Sequence, residues 1–330
     1  MLGESTNSFP PTSSQSRAKI QKMESIIGQD EGNRGMKALI VSGDLEKAAT
    51  VLTNLKLLQK SSKSSEEPPH VLILSGFPCC VDQTPPTETD GPPGALAIAR
   101  CCLALGHKVT LVTDESNRVV FTAAAEPYLN QIQLEIFPAE MSTEDNKRLK
   151  LLSISCDLII SCERAGPAAD GICRTMRGID MNAKHLIAPL HQIVDLARSE
   201  SLPSIVPYIA IGDGGNELGM GKVIDIIHDK IPNGKLIGAV TAADYLIAAS
   251  VSNWGGYALC AACTVLMNQY NNEEEWREKC MPSVEDEIEL LNRCVSVGCR
   301  DGVSGLMEAT VDGMPLETSM KCLEQLRYAV

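Results

Sequence analysis

Residues 208–222 read YIAIGDGGNELGMGK and concentrate more potential chemistry than any other stretch of the chain. A short apolar run, Tyr208 to Ile211, stops at a turn holding Gly212, Gly214, Gly215, Gly219 and Gly221. Asp213, Asn216 and Glu217 sit among them. Glycine reaches positive φ and lets backbone approach a ligand closely. Two carboxylates and an amide exceed what a plain strand-to-helix turn needs. The stretch predicts a ligand loop at the carboxyl end of a strand, where open α/β folds bind. It is not a phosphate loop. A dinucleotide fingerprint from Gly212 needs glycine in place of Glu217. A P-loop ending at Lys222 needs glycine in place of Asn216, and Ser or Thr in place of Val223. The acids favour a metal, an ammonium group or proton transfer over bare phosphate, so no nucleotide is expected.

Three further segments share this character, and each is expected at the end or flank of a strand. Residues 88–94 read ETDGPPG. Asp90 can cap a following helix, Pro92 or Pro93 suits its first turn, and Glu88 adds a second acid. Residues 163–167 read ERAGP, with Asp170 and Arg174 beyond. Arg164 is a candidate carboxylate clamp, the alternative being an ion pair with Glu163 or Asp170. Residues 252–257 read SNWGGY. Ser252 or Asn253 can cap a helix, and Trp254 either walls a pocket, as the paired glycines beside it suggest, or anchors the core. Residues 301–305, DGVSG, read as a turn.

These loops can meet only if the intervening elements form a parallel sheet. Strands are expected at 71–77, 108–113, 134–137, 157–161 and 208–211, with one more at 238–242 or 245–249. Helices are expected after Asp44 and at 92–105, 117–129, 143–153, 185–198, 256–267 and 284–297. The alternation predicts an α/β fold: an open, mostly parallel sheet with helices on both faces, a Rossmann-like three-layer sandwich. Its strand carboxyl ends would gather Glu88, Asp90, Glu163, Asp213 and Glu217 around Arg164. Crowded carboxylates raise one another's pKa, which suits acid–base work. Residues 1–35 read as a polar tail or linker, 60–69 as a loop, and 36–330 as a single α/β domain.

Composition narrows the partners. The net charge of −13 argues against nucleic acid. No uninterrupted apolar stretch is long enough to cross a membrane, so no membrane partner is expected. A small molecule is the expected partner. The thirteen cysteines are irregularly spaced. Cys260 and Cys263 form a CxxC inside an apolar helix with no second pair, which reads as core. This usage fits a reducing compartment. The five histidines do not cluster, and there is no Gly-x-Ser-x-Gly elbow.

The set ETDGPPGA (88–95), CERAGPAADG (162–171), IGDGGNELGMGK (211–222) and SNWGGYAL (252–259) resembles the C-terminal domain of the vertebrate mitochondrial D-glutamate cyclases, from about residue 36 onward. Full-length members are about twice as long, with another domain in front. This chain therefore looks like a short isoform or C-terminal half. The resemblance implies conversion of D-glutamate to 5-oxo-D-proline with loss of water, in the mitochondrial matrix. A cytosolic place fits the absence of a clear transit peptide. On that reading Asp213, Glu217, Glu88 and Asp90 are the acid–base candidates. Gly214, Gly215 and Asn216 offer backbone donors to an oxyanion. Arg164, Lys222 or the helix N-terminal turn at 91–95 takes the α-carboxylate, with Glu163, Asn253 and Trp254 lining the substrate. Asp213, Asn216 and Glu217 are candidate ligands for Mg²⁺, Ca²⁺ or Mn²⁺. A binding module that senses a metabolite or metal for a catalytic domain elsewhere is the competing reading. A metal-dependent phosphoryl enzyme fits the fold but lacks the P-loop.

Overall fold

Runs of Val, Leu and Ile that lack helical periodicity make strands buried on both faces. The computed structural model describes residues 11–30, 35–59, 67–199, 205–269 and 273–330. It contains six strands: β1 (His70–Gly76), β2 (Lys108–Asp114), β3 (Gln133–Phe137), β4 (Leu158–Arg164), β5 (Tyr208–Gly212) and β6 (Tyr245–Ala248). Every pairing is parallel, in the order β3-β2-β1-β4-β5-β6. The expected α/β class and open parallel sheet are therefore present, and the last strand is the 245–248 candidate.

Side chains alternate between two cores. Val71, Ile73, Leu111 and Ile211 face one, while Leu72, Leu74, Val112 and Tyr208 face the other. The first core is covered by helices Ser14–Ile27, Asp44–Thr53, Pro92–Ala104, Arg118–Ala125 and Ser252–Met267. The second is covered by Thr143–Ser155, His191–Ala197 and Ile224–Lys230. Strand order reverses between β1 and β4. That opens a crevice at their carboxyl ends, the usual ligand position in such sheets.

Two expectations need correction. The tail assigned to residues 1–35 contains the Ser14–Ile27 helix, whose Ile20, Met23, Ile26 and Ile27 are buried in the first core. Ser13 caps it, its side chain accepting from the Ser16 N–H at 3.1 Å. Residues 1–10 and 31–34, and most of the 60–69 loop, lie outside the described residues. The 185–198 helix is confined to His191–Ala197, because Pro189 disfavours helical backbone just before it. No helix among the described residues is long and apolar enough to cross a membrane.

Candidate active site

The crevice is built where two helix N-termini meet. Asp90 precedes the Pro92–Ala104 helix, yet its carboxylate caps the Ser252–Met267 helix. It accepts from the backbone N–H groups of Ser252 and Asn253, each at 2.8 Å. Asn253 returns the arrangement. Its side-chain oxygen accepts from Gly91 N–H at 2.9 Å and Gly94 N–H at 2.8 Å, and its amide donates to the Thr89 carbonyl at 3.1 Å. The glycines permit this contact. A Cβ on Gly94 would lie 2.9 Å from Asn253 Cα, and one on Gly256 would lie 2.9 Å from Gly94 Cα. The paired glycines after Trp254 thus serve helix contact. Trp254 is buried in the first core and donates to Ser319 Oγ at 3.1 Å.

At the end of β4 the register with β1 shifts, and Glu163 is the extra residue. Its φ of +44° is left-handed. Its carboxylate accepts from Ser252 Oγ at 2.6 Å and so lies beside the Ser252–Met267 N-terminus. Arg164 is fully buried, pairs with Asp114 and donates to the Ala188 carbonyl at 2.8 Å. Burial pushes the Asp114 carboxyl up while Arg164 opposes it. Arg164 therefore ties the sheet end together and is not among the residues lining the cavity.

The glycine turn after β5 folds around its own acid. Glu217 accepts from Gly214 N–H and Gly215 N–H, both at 2.7 Å, and from Asp213 N–H at 3.3 Å. The backbone groups of Gly214 and Gly215 are thus directed at Glu217 and not at an oxyanion. Asn216 donates to the Arg174 carbonyl at 2.8 Å. Lys222 pairs with Asp44 and donates to the Asp244 carbonyl, away from the crevice.

The structure brings together Asp90, Glu163 and Asp213, all buried, with one oxygen of each lying within 4.8 Å of the others. This set shares Asp213 with the Asp213, Asn216 and Glu217 trio expected from sequence. Glu163, Asp213, Asn216 and Glu217 open onto a cavity of about 630 Å³, together with Glu88. Burial, then Asp213, Glu217, Asp90 and Glu88, pushes the Glu163 carboxyl well above the usual carboxylate range. Burial, then Asp312, Asp90 and Asp213, does the same for Glu88. Among the described residues Ser75 Oγ is buried without a hydrogen-bond partner, and it lies against Gly91 beside the Glu163 stem.

Sequence reasoning missed part of the wall. Arg177, Cys79, Cys80 and Asp312 line the cavity, as does Gly302, where a Cβ would fall 1.9 Å from a Glu88 oxygen. Arg177 carries no signal that separates it from Arg164 or Arg174. Gly302 lies in the DGVSG turn, which is both a turn and a wall: Asp301 accepts from Val303, Ser304 and Gly313 N–H groups.

A family model described as "D-glutamate cyclase-like, C-terminal" matches residues 23–327. The chain belongs to that family. It is also 33% identical over 326 residues to a human protein named "D-glutamate cyclase, mitochondrial", an alignment covering 91% of this chain and 50% of the human one. The chain thus spans about half the length of this cyclase relative. In this member of the D-glutamate cyclase-like family, the acidic cavity at the sheet's switch point is the candidate functional site.

Proposed function

We propose that this chain is a D-glutamate cyclase-like hydro-lyase that converts D-glutamate to 5-oxo-D-proline and water. The observation that carries the reading is the convergence of Glu88, Glu163 and Asp213 on one cavity, with Asp90 beside Glu163 and Asp213, in a chain of this family. Among the described residues lining the cavity, Arg177 is the one basic side chain, and it takes the α-carboxylate. The ammonium docks against Asp213, which accepts its proton. The freed amine attacks the side-chain carboxyl carbon. The C–N bond forms and the C–O bond breaks. The departing oxygen takes one proton from Glu88, whose acid form burial favours, and the second from the attacking nitrogen, and leaves as water. The proton held by Asp213 then restores Glu88.

A substrate with two carboxylates must find positive charge in this acidic site. Protons on Glu88 and Glu163 are one source. A divalent cation held by Asp90, Glu163 and Asp213 is the other, and this all-oxygen set suits Mg²⁺, Mn²⁺ or Ca²⁺. The cavity's acids would repel bare phosphate.

The test is to incubate the purified chain with D-glutamate and follow 5-oxoproline by chiral chromatography. Product is expected, with Asp213→Asn lowering kcat/KM at least about 100-fold and leaving the circular dichroism unchanged. Chelator followed by Mg²⁺ or Mn²⁺ separates the two charge sources. If the chain makes no product while the human relative does, the cyclase assignment fails for this chain. Saturable D-glutamate binding under those conditions would identify a binding module instead. Location in the mitochondrial matrix goes with the same proposal, because the human relative is named mitochondrial.

A further inference from the structure

Of the thirteen cysteines, eleven are buried, and the two exceptions are neighbours, Cys79 and Cys80. They lie on the loop after β1 and line the cavity. Their sulfurs are 3.9 Å apart. The loop holds them in place: Cys80 N–H donates to the Pro86 carbonyl at 3.0 Å, and Gln83 N–H donates to the Cys80 carbonyl at 2.8 Å. Cys79 Sγ is 4.0 Å from the Gly302 carbonyl, and Cys80 Sγ is 4.0 Å from that of Asp301.

The two thiols are not equivalent. The Cys79 hydrogen bond, then Arg300 and Arg177, holds the Cys80 thiol below its usual range, against burial. Cys79 is pushed the other way by the same bond, by burial and by Glu88. Thiolate character and access decide which cysteine reacts. Position sets these two apart from the other eleven before any titration is considered.

We propose that Cys79 and Cys80 are an oxidation-sensitive dithiol site, with Cys80 the attacking sulfur and Cys79 the resolving one. The oxidant is hydrogen peroxide. The Cys80 sulfur attacks one peroxide oxygen; an S–O bond forms, the O–O bond breaks, and two electrons pass from sulfur to oxygen. The departing hydroxide takes a proton and leaves as water. Cys79 then attacks the Cys80 sulfenic sulfur. The S–S bond forms, the S–O bond breaks, and the Cys79 proton leaves with the hydroxyl group as a second water. Two thiols and one peroxide thus give one disulfide and two waters. Closing the sulfurs from 3.9 Å to a bonded length of about 2 Å moves side chains that line the cavity, so oxidation reshapes its wall.

The sulfur chemistry does not depend on the cyclase reading, and its readout is mass. The whole chain is exposed to graded hydrogen peroxide, the remaining thiols are blocked with N-ethylmaleimide after denaturation, and peptides are mapped. At low dose the peptide holding Cys79 and Cys80 should lose the mass of two hydrogens and both blocking sites. Dithiothreitol should restore them, while the eleven buried thiols stay reactive to the blocker. Cys79→Ser should stop at a sulfenic acid on Cys80 that dimedone captures. Cys80→Ser should oxidise at least about tenfold more slowly at Cys79. Oxidation of a buried cysteine at the same dose would overturn the proposal. So would an unchanged rate at Cys79 in Cys80→Ser, with circular dichroism confirming that each variant is folded.

Discussion

At the scale of single residues, buried ionisable groups set how the chain responds to pH, and Glu287 isolates the effect. It lies in the Val284–Ser296 helix, fully buried, and accepts from Tyr257 Oη at 2.6 Å. Burial raises its carboxyl from 4.5 to about 7, against the Tyr257 hydrogen bond. The native state therefore binds this proton more tightly than the unfolded state. The contribution is fully present below about pH 4.5 and is lost as pH rises through about 7, a swing of about 3 kcal/mol. Glu287→Gln keeps an acceptor for Tyr257 but cannot ionise. Urea unfolding should show wild type and variant nearly equal at pH 5 and the variant more stable at pH 8; equal stability at both would refute the assignment. The same scale shows why neighbouring site residues parted ways. From sequence Arg164 reads either as a carboxylate clamp or as the partner of Glu163 or Asp170. A register shift that no residue type announces makes Glu163 the bulged residue and sends Arg164 to Asp114. The acids of the site were legible because carboxylates at strand ends are conspicuous. The cation was not, since Arg164, Arg174 and Arg177 differ only in where the chain turns.

At the scale of elements, the site depends on two helices that cap each other. Asn253 accepts from two backbone N–H groups of the neighbouring loop and helix, and Asp90 accepts from two on the Ser252–Met267 helix. Two helix dipoles thereby point their positive ends toward buried acids. Asn253→Ala would leave the Gly91 and Gly94 N–H groups buried without that acceptor. It should cost about 2–4 kcal/mol by urea unfolding and lower activity by displacing Asp90; a loss of activity without a loss of stability would show that Asn253 touches substrate instead. Sequence exposed Asp90 and Ser252 or Asn253 as caps, but each was assigned to its own helix. Crossed capping needs the contact distance between helices, which Gly94 and Gly256 set and no single segment encodes. The strands were legible because burial on both faces leaves unbroken apolar runs. The Ser14–Ile27 helix was not, because its four buried apolar residues are interspersed with serine, lysine and glutamine.

At the scale of the whole molecule, the position of the cavity follows from topology. The strand order reverses between β1 and β4, and the loop after β1, the end of β4 and the loop after β5 supply Glu88, Glu163 and Asp213 from residues distant in sequence. Alternating elements made that convergence readable, but the closing wall from residues 302–305 and 312 comes from the far end of the chain. The framework must stay rigid enough to hold like charges together, so stability far from the cavity bears on the site. The Ser14–Ile27 helix packs on the Ser252–Met267 helix, whose N-terminus carries Ser252 and Asn253, and on Leu316–Ala329. Ile20, Met23, Ile26 and Ile27 bury their side chains there, at about 1.5–3 kcal/mol each. Their sum rivals the total stability of a typical domain, about 5–15 kcal/mol. A chain starting at Met36 should therefore lose its cooperative thermal transition and bind a hydrophobic dye, where the full chain does neither. A truncated chain melting within about 5 °C of the full one would mean that this helix covers the core without supporting it, and that the acids are held by the sheet and the crossed caps alone.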